Sequence, residues 1–234
     1  MIRRSISFIV GSVLGAGLVV GGLFIFPFHH VTRSERVMPV FEKSAPQIDL
    51  YRLVLGDDRV GDVVSITTGG EPAIFPRIPA DTPLLAEPNV RDGLALITLV
   101  RNGDDQVVGF ATELEAGHED SRLIKGKIMT HTTWTVIVPG RGALFLYQVE
   151  DNWILFKRFV LPALLFGKDW RGSWKNLNTL GPSPEGYGQI VAATGDFAGN
   201  AQHFVEYAEL RRFHAGVEIG GVMDVLVAMK GTGQ

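Results

Sequence analysis

The longest apolar stretch without a charge lies at the amino terminus. Residues 5–28 carry no ionised side chain, Arg3 and Arg4 stand before them, and Arg33 and Arg36 follow. About 20 apolar residues cross a bilayer as a helix, so the pattern predicts one transmembrane helix over 5–28. A cytoplasmic tip over 1–4, a linker over 29–47 and an extracytoplasmic domain over 48–234 complete the expected organisation. The run ends in Phe26-Pro27-Phe28-His29-His30, with no small-x-small cleavage site, which points to a retained signal anchor rather than a cleaved signal peptide. The basic residues before the run favour a cytoplasmic amino terminus. The expected location is the cytoplasmic membrane, single-pass, with the domain in a periplasm if the cell has one. Gly11, Gly15 and Gly22 fall near one helical face, the spacing that lets two membrane helices approach closely. They are candidate helix-docking residues for a transmembrane partner or a second copy of the chain.

Beyond the linker, with its Pro39 and Pro46, the period shortens. Residues 48–54 read as a first strand, and 56–88 are loop-like apart from a short apolar run at 63–66. From Asp92 onward, apolar and polar positions alternate in strand-length pieces between turn residues. Leu94, Leu96 and Thr98 alternate with Ala95, Ile97 and Leu99; Asn102-Gly103-Asp104-Asp105 then turns the chain into a returning strand over 106–114. A β-branched stretch over 123–138, the turn Pro139-Gly140-Arg141-Gly142 and a strand over 143–149 form a second hairpin. Strands are also expected over 186–193, 203–213 and 222–229. The apolar stretch 153–174, broken by Pro162 and Gly167, fits a strand followed by a helix, without a clear period. Eight or so strands without alternating helices predict an all-β, antiparallel barrel or sandwich. Several strands are apolar on both faces, which calls for a dry lumen and a partner or helix outside it.

Composition narrows the chemistry. With no cysteine, disulfides, thiolate catalysis and cysteine-ligated metals are excluded. A formal net charge of −3 and the lack of a basic stripe give no footprint for nucleic acid. Nucleophile elbows, phosphate-binding glycine loops and dinucleotide fingerprints are missing, so no cofactor is expected. No histidine pair has the spacing of a helical zinc motif, so no metal site is expected either.

The segment Gly188-Gln189-Ile190-Val191-Ala192-Ala193-Thr194-Gly195-Asp196-Phe197-Ala198-Gly199 resembles the strand–turn–strand signature of the allene oxide cyclase and dirigent barrel superfamily, in which a strand ends in Thr-Gly-x-Phe-x-Gly. The resemblance extends loosely over 92–229. It implies an eight-stranded antiparallel barrel in which Gly195, Phe197 and Gly199 form a barrel turn, with Phe197 folded back on the core. It departs from the family at Ala192-Ala193, where Gly-Gly is usual, and in the apolar insertion over 153–174. No catalytic residue of the family maps onto this chain.

Glu206 is the first catalytic candidate. Its strand places Phe204, Glu206, Ala208 and Leu210 on one face, and a carboxylate in an apolar lumen would have a raised pKa suited to acid–base work. Pairing of Glu206 and Glu209 with Arg211 and Arg212 is the competing reading. His131 and Tyr147 are further candidates for the same lumen. Trp153, Trp170 and Trp174, interleaved with Lys157, Arg158, Lys168 and Arg171, suit a membrane interface. These features lead to the expectation of a non-catalytic accessory or scaffold subunit of a membrane complex. The alternative is a membrane-anchored barrel that binds, isomerises or cyclises an apolar small molecule.

Overall fold

In the computed structural model, residues 11–18, 47–56, 63–68, 94–214 and 218–230 are described. Contacts divide the chain into two units: Met1–Arg36 with Ile124–Gly126, and Val37–Leu123 with Lys127–Gln234. In the first unit residues 11–18 are helical, with Val13, Leu14 and Leu18 exposed. Among the described residues no helix is long and apolar enough to cross a membrane. The rest of the expected span, Gly22 included, lies outside the described residues.

The second unit is an antiparallel barrel, as the alternation predicts. Its eight staves, in order around the wall, are β1 (Ile48–Leu55), β11 (Glu218–Met229), β10 (Ala201–His214), β9 (Gly188–Ala193), β6 (Gly142–Asp151), β5 (Met129–Val138), β4 (Val107–Gly117) and β3 (Leu94–Arg101). The pairing Arg52↔Arg101 between β1 and β3 closes the ring, and β2 (Val63–Thr68) runs beside the rest of β3. Closure removes most of the sheet edge that would otherwise invite pairing with other chains, with β2 at the end of the strand order.

One stave is composite. β9 pairs with β10 only at His203 and Phe204. Further along β10 its place is taken by β7 (Trp170–Leu177), and beside β6 by the short β8 (Thr179–Gly181). Asn178 links β7 to β8, so the chain crosses the barrel wall there. Over 153–174 the sequence pattern fits a strand followed by a helix; the order here is the reverse, with the helical segment before β7, and the pattern gives no strand at β8. The stretch expected to be one strand over 123–138 starts later, at Met129, because the preceding residues form a tight loop bridged at Arg122↔Lys127. The ambiguous apolar insertion is helical over most of its length: α1 (Trp153–Leu155), a π-turn (Phe156–Val160) and α2 (Leu161–Phe166), ending at Gly167 with φ of 59°.

Two apolar clusters result. The larger fills one end of the lumen with Tyr51, Leu53, Val100, Trp134, Val136, Leu144, Leu146, Phe197, Phe204, Val225 and Val227. Phe197 closes that end, fully buried, edge-on to Tyr51 and beneath the Arg141 guanidinium. Its turn depends on a close backbone crossing. Gly195 has φ of 60°, and a Cβ there would stand 2.1 Å from the Arg141 carbonyl oxygen, so glycine is required on both counts. Gly199 also has positive φ, 71°, but open space around it. In the smaller cluster, Phe159, Val160 and Ala163 of the helical segment pack on Leu210 and Phe213 of β10. Trp170 and Trp174 lean on the Phe159 ring at 4.6 and 5.0 Å, and Trp153 stacks on Phe156. Trp170 and Trp174 thus serve the helix–barrel contact, Trp153 packs within the helical segment, and the apolar side chains most open to the surroundings there are Leu164, Leu165 and Phe166. On the outer wall Ile97, Phe110, Leu114 and Phe145 each retain about 40% exposure, as the strands with two apolar faces imply.

Candidate functional site

Inward positions alternate along each strand, and along four of them the chemistry changes partway. β4 presents Ala111 and then Glu113 and Glu115. β5 presents Val136 and Trp134 and then Thr132 and Thr130. β6 presents Leu144 and Leu146 and then Gln148 and Glu150. On β10, Phe204 is followed by Glu206. The polar positions cluster at the end where β7 and β8 replace β9, and there a cavity of about 420 Å³ opens. Its walls include Glu113, Glu115, Glu150 and Glu206, with Leu55, Leu94, Leu96, Phe156, Val160, Trp174, Leu210 and Met223 supplying apolar surface. Among the described residues no lysine, arginine or histidine lines it.

Glu206 sits as the alternation on its strand predicts, 1% exposed. Its carboxylate is held entirely by N–H donors: Trp134 Nε1 at 3.0 Å and Gln148 Nε2 at 2.5 Å to one oxygen, Asn178 Nδ2 at 2.8 Å to the other. Gln148 is itself fixed. Its amide nitrogen also donates to Glu150 at 2.7 Å, and its oxygen accepts from the Thr179 hydroxyl. The Thr179 oxygen accepts in turn from the Glu206 backbone N–H at 2.8 Å. The crossing at Asn178 is therefore what anchors Glu206, through its side chain and through its backbone N–H to the Glu206 carbonyl. The competing ion pairs go elsewhere: Arg211 and Lys175 approach Glu209, not Glu206.

The other acids differ in their support. Asn152 donates to Glu115 at 3.1 Å. Glu113 is 7% exposed, and among the described residues its carboxyl has no hydrogen-bond partner. Burial pushes Glu113 well above the usual carboxylate range, and the charges of Glu206, Glu115 and Glu150 push it further. Glu150 is raised strongly, by burial and then by Glu206 and Glu115. Glu115 and Glu206 are also raised by burial, but hydrogen bonds to the charged form oppose the shift in both. Like charges in one low-dielectric site cannot all ionise cheaply. Three N–H donors favour the ionised form at Glu206, whereas burial and the neighbouring charges favour the protonated form at Glu113 and Glu150.

His131 and Tyr147 do not share this site. Their strand neighbours Thr132 and Gln148 are fully buried, so the alternation places both on the outer wall, where His131 Nδ1 and Tyr147 Oη lie 2.6 Å apart. Sequence reading missed Glu113, Glu115 and Glu150. The signal was an inversion: in Thr112-Glu113-Leu114-Glu115 the usual rule puts leucine inside, yet Leu114 is 38% exposed and the glutamates face the lumen. Comparison with protein-family models, with curated proteins and with solved structures finds no match for this chain.

Proposed function

We propose that the acidic end of the lumen binds a small, largely apolar molecule carrying a carbonyl or similar acceptor oxygen, and moves protons on it. Glu113 carries this reading: it is a largely buried carboxyl without a hydrogen-bond partner among the described residues, facing a cavity whose volume lies in the usual small-molecule range of about 300–1,000 Å³. A protonated Glu113 donates a hydrogen bond to the ligand oxygen. The Glu206 carboxylate, held in place by three donors, accepts a proton from a carbon that this polarisation acidifies. Returning that proton at another position gives an isomerisation or cyclisation without cofactor. The likeness to allene oxide cyclases in the Thr194–Gly199 turn fits such chemistry, as does an eight-stranded barrel. The charge-free run over 5–28 would keep the barrel at a membrane, close to apolar ligands.

The test uses the full chain in mild detergent, with a detergent-only blank, and the fluorescent apolar ketone 6-propionyl-2-dimethylaminonaphthalene, whose carbonyl supplies the acceptor oxygen. Binding to the wild type, and weaker binding to Ala208→Phe, which fills the cavity, and to Glu113→Gln is the expected result. Equal binding by all three would place the probe elsewhere and end the reading.

An accessory subunit docked through its glycine-rich helix is the second reading, favoured by the helical conformation of 11–18 and the open space where side chains at Gly11 and Gly15 would stand. Under it, Gly15→Leu lowers the particle mass on a native gel while leaving probe binding intact.

A further inference from the structure

We infer that His118, Glu119 and His131, on the outer wall of the barrel, form a binding site for a divalent transition metal, with zinc the best fit. Their candidate ligand atoms all lie within 4.8 Å of one another. Glu119 Oε2 stands 3.0 Å from His131 Nε2 and 3.7 Å from His118 Nδ1. Tetrahedral zinc with bonds of about 2.0–2.1 Å spaces its ligands by about 3.3 Å, between those two separations. The imidazoles stack with centroids 4.1 Å apart.

Strand register brings the residues together. β4 and β5 pair Ala116 with His131 and Gly117 with Thr130, so His118 leaves the end of β4 beside His131. The loop that follows is tied down. The His118 N–H donates to the Met129 carbonyl at 2.9 Å and the Ser121 N–H to the His118 carbonyl at 3.0 Å. The Ser121 hydroxyl both donates to and accepts from the Met129 backbone. Three ligands held on a short, pinned loop and a rigid strand lose little freedom on binding metal.

The surroundings also suit a metal. Ligating histidines commonly donate their second ring N–H to an oxygen acceptor, and Tyr147 Oη is placed to accept from His131 Nδ1, leaving Nε2 for the metal. His118 Nδ1 accepts the Asp120 N–H at 2.9 Å; ligation through that nitrogen exchanges this contact for a metal bond. Two neutral imidazoles and one carboxylate leave zinc a fourth position for water, the ligand set of open rather than purely structural zinc sites. The site faces away from the lumen and does not depend on the proposed ligand chemistry.

The experiment strips the full chain with chelator, dialyses it against Zn²⁺ and separately Co²⁺, and measures bound metal and the cobalt visible spectrum. The wild type should bind zinc stoichiometrically and give the intense bands of tetrahedral cobalt. Glu119→Gln and His131→Gln should each lose one equivalent and those bands, and Tyr147→Phe should bind about 10-fold more weakly. The Glu119 side chain is 78% exposed, so Glu119→Gln leaves the fold intact and decides the matter if His131→Gln does not fold. Zinc binding that survives Glu119→Gln unchanged would assign the metal elsewhere, for example to His29 and His30. No bound zinc in the wild type would leave the cluster a histidine–carboxylate ion pair. Either result overturns the proposal.

Discussion

At one end of the lumen Trp134, Val136, Leu144, Leu146 and Phe204 interlock, and Phe197 seals them from water. Further along the lumen, Glu113 of β4, Glu150 of β6 and Glu206 of β10 occupy inward positions around open space. The dry end obeys the ordinary rule that interiors are apolar and close-packed. The acidic end violates it: among the described residues it has four carboxyl groups and no cation. A barrel that needed only stability would carry the apolar packing through. Real chains break local rules mainly where function requires it, and here the break coincides with the cavity and with the point where β7 and β8 displace β9.

Substitutions should separate the two ends most sharply. Phe204→Ala, which empties the dry end, should cost about 3–5 kcal/mol in urea denaturation. Glu113→Gln at the acidic end should cost nothing or stabilise the fold, because it removes a carboxyl whose ionisation burial penalises. A large loss in Glu113→Gln would mean that the carboxyl has a structural partner and would break the comparison. Gly195→Val, at the crossing that seats the Phe197 seal, should lower stability by about 1–3 kcal/mol or more from backbone strain alone. Gly199→Val should cost less, since only its φ resists a side chain. Equal effects would remove the steric part of that argument.

Gln148 joins Glu206, Glu150 and Thr179 in one network, so Gln148→Leu should cost about 1–3 kcal/mol by leaving buried polar groups unpaired. Deprived of that donor, Glu206 should hold its proton to higher pH.

The smallest expected effect is in the pH dependence. Unfolded glutamates lose their protons near pH 4.3, whereas folded Glu113 and Glu150 are raised well above the usual range. The folded state then binds more protons over the interval between, and stability falls as pH rises through it. The contribution is complete below the unfolded pKa and lost above the folded one. Thermal melts of the wild type should decline from mildly acidic towards alkaline pH, and Glu113→Gln should flatten the slope.

Most of the barrel was legible because its strands announce themselves: Asn102-Gly103-Asp104-Asp105 and Pro139-Gly140-Arg141-Gly142 mark hairpins, and alternation marks the faces. β7 was hidden because Trp170-Arg171-Gly172-Ser173-Trp174-Lys175 has neither strand composition nor a clean period, and β8 because it is three residues long. At the site, Glu206 could be read from Phe204 and Leu210 on the same face. Glu113 and Glu150 could not, because strand alternation shows that two sets of residues face opposite ways without showing which set faces in. His118 and His131 are thirteen positions apart, and only the β4–β5 register makes them neighbours.

The central claim is that Glu113 is a protonated acid at neutral pH beside an ionised Glu206, and carboxyl ¹³C NMR titration measures it directly. The full chain, labelled at glutamate δ-carbons and assigned through Glu113→Gln and Glu206→Gln, should show the Glu113 resonance unchanged through the pH range in which exposed glutamates titrate, with its midpoint well above theirs. A Glu113 midpoint at the ordinary value of about 4.3 would contradict the account.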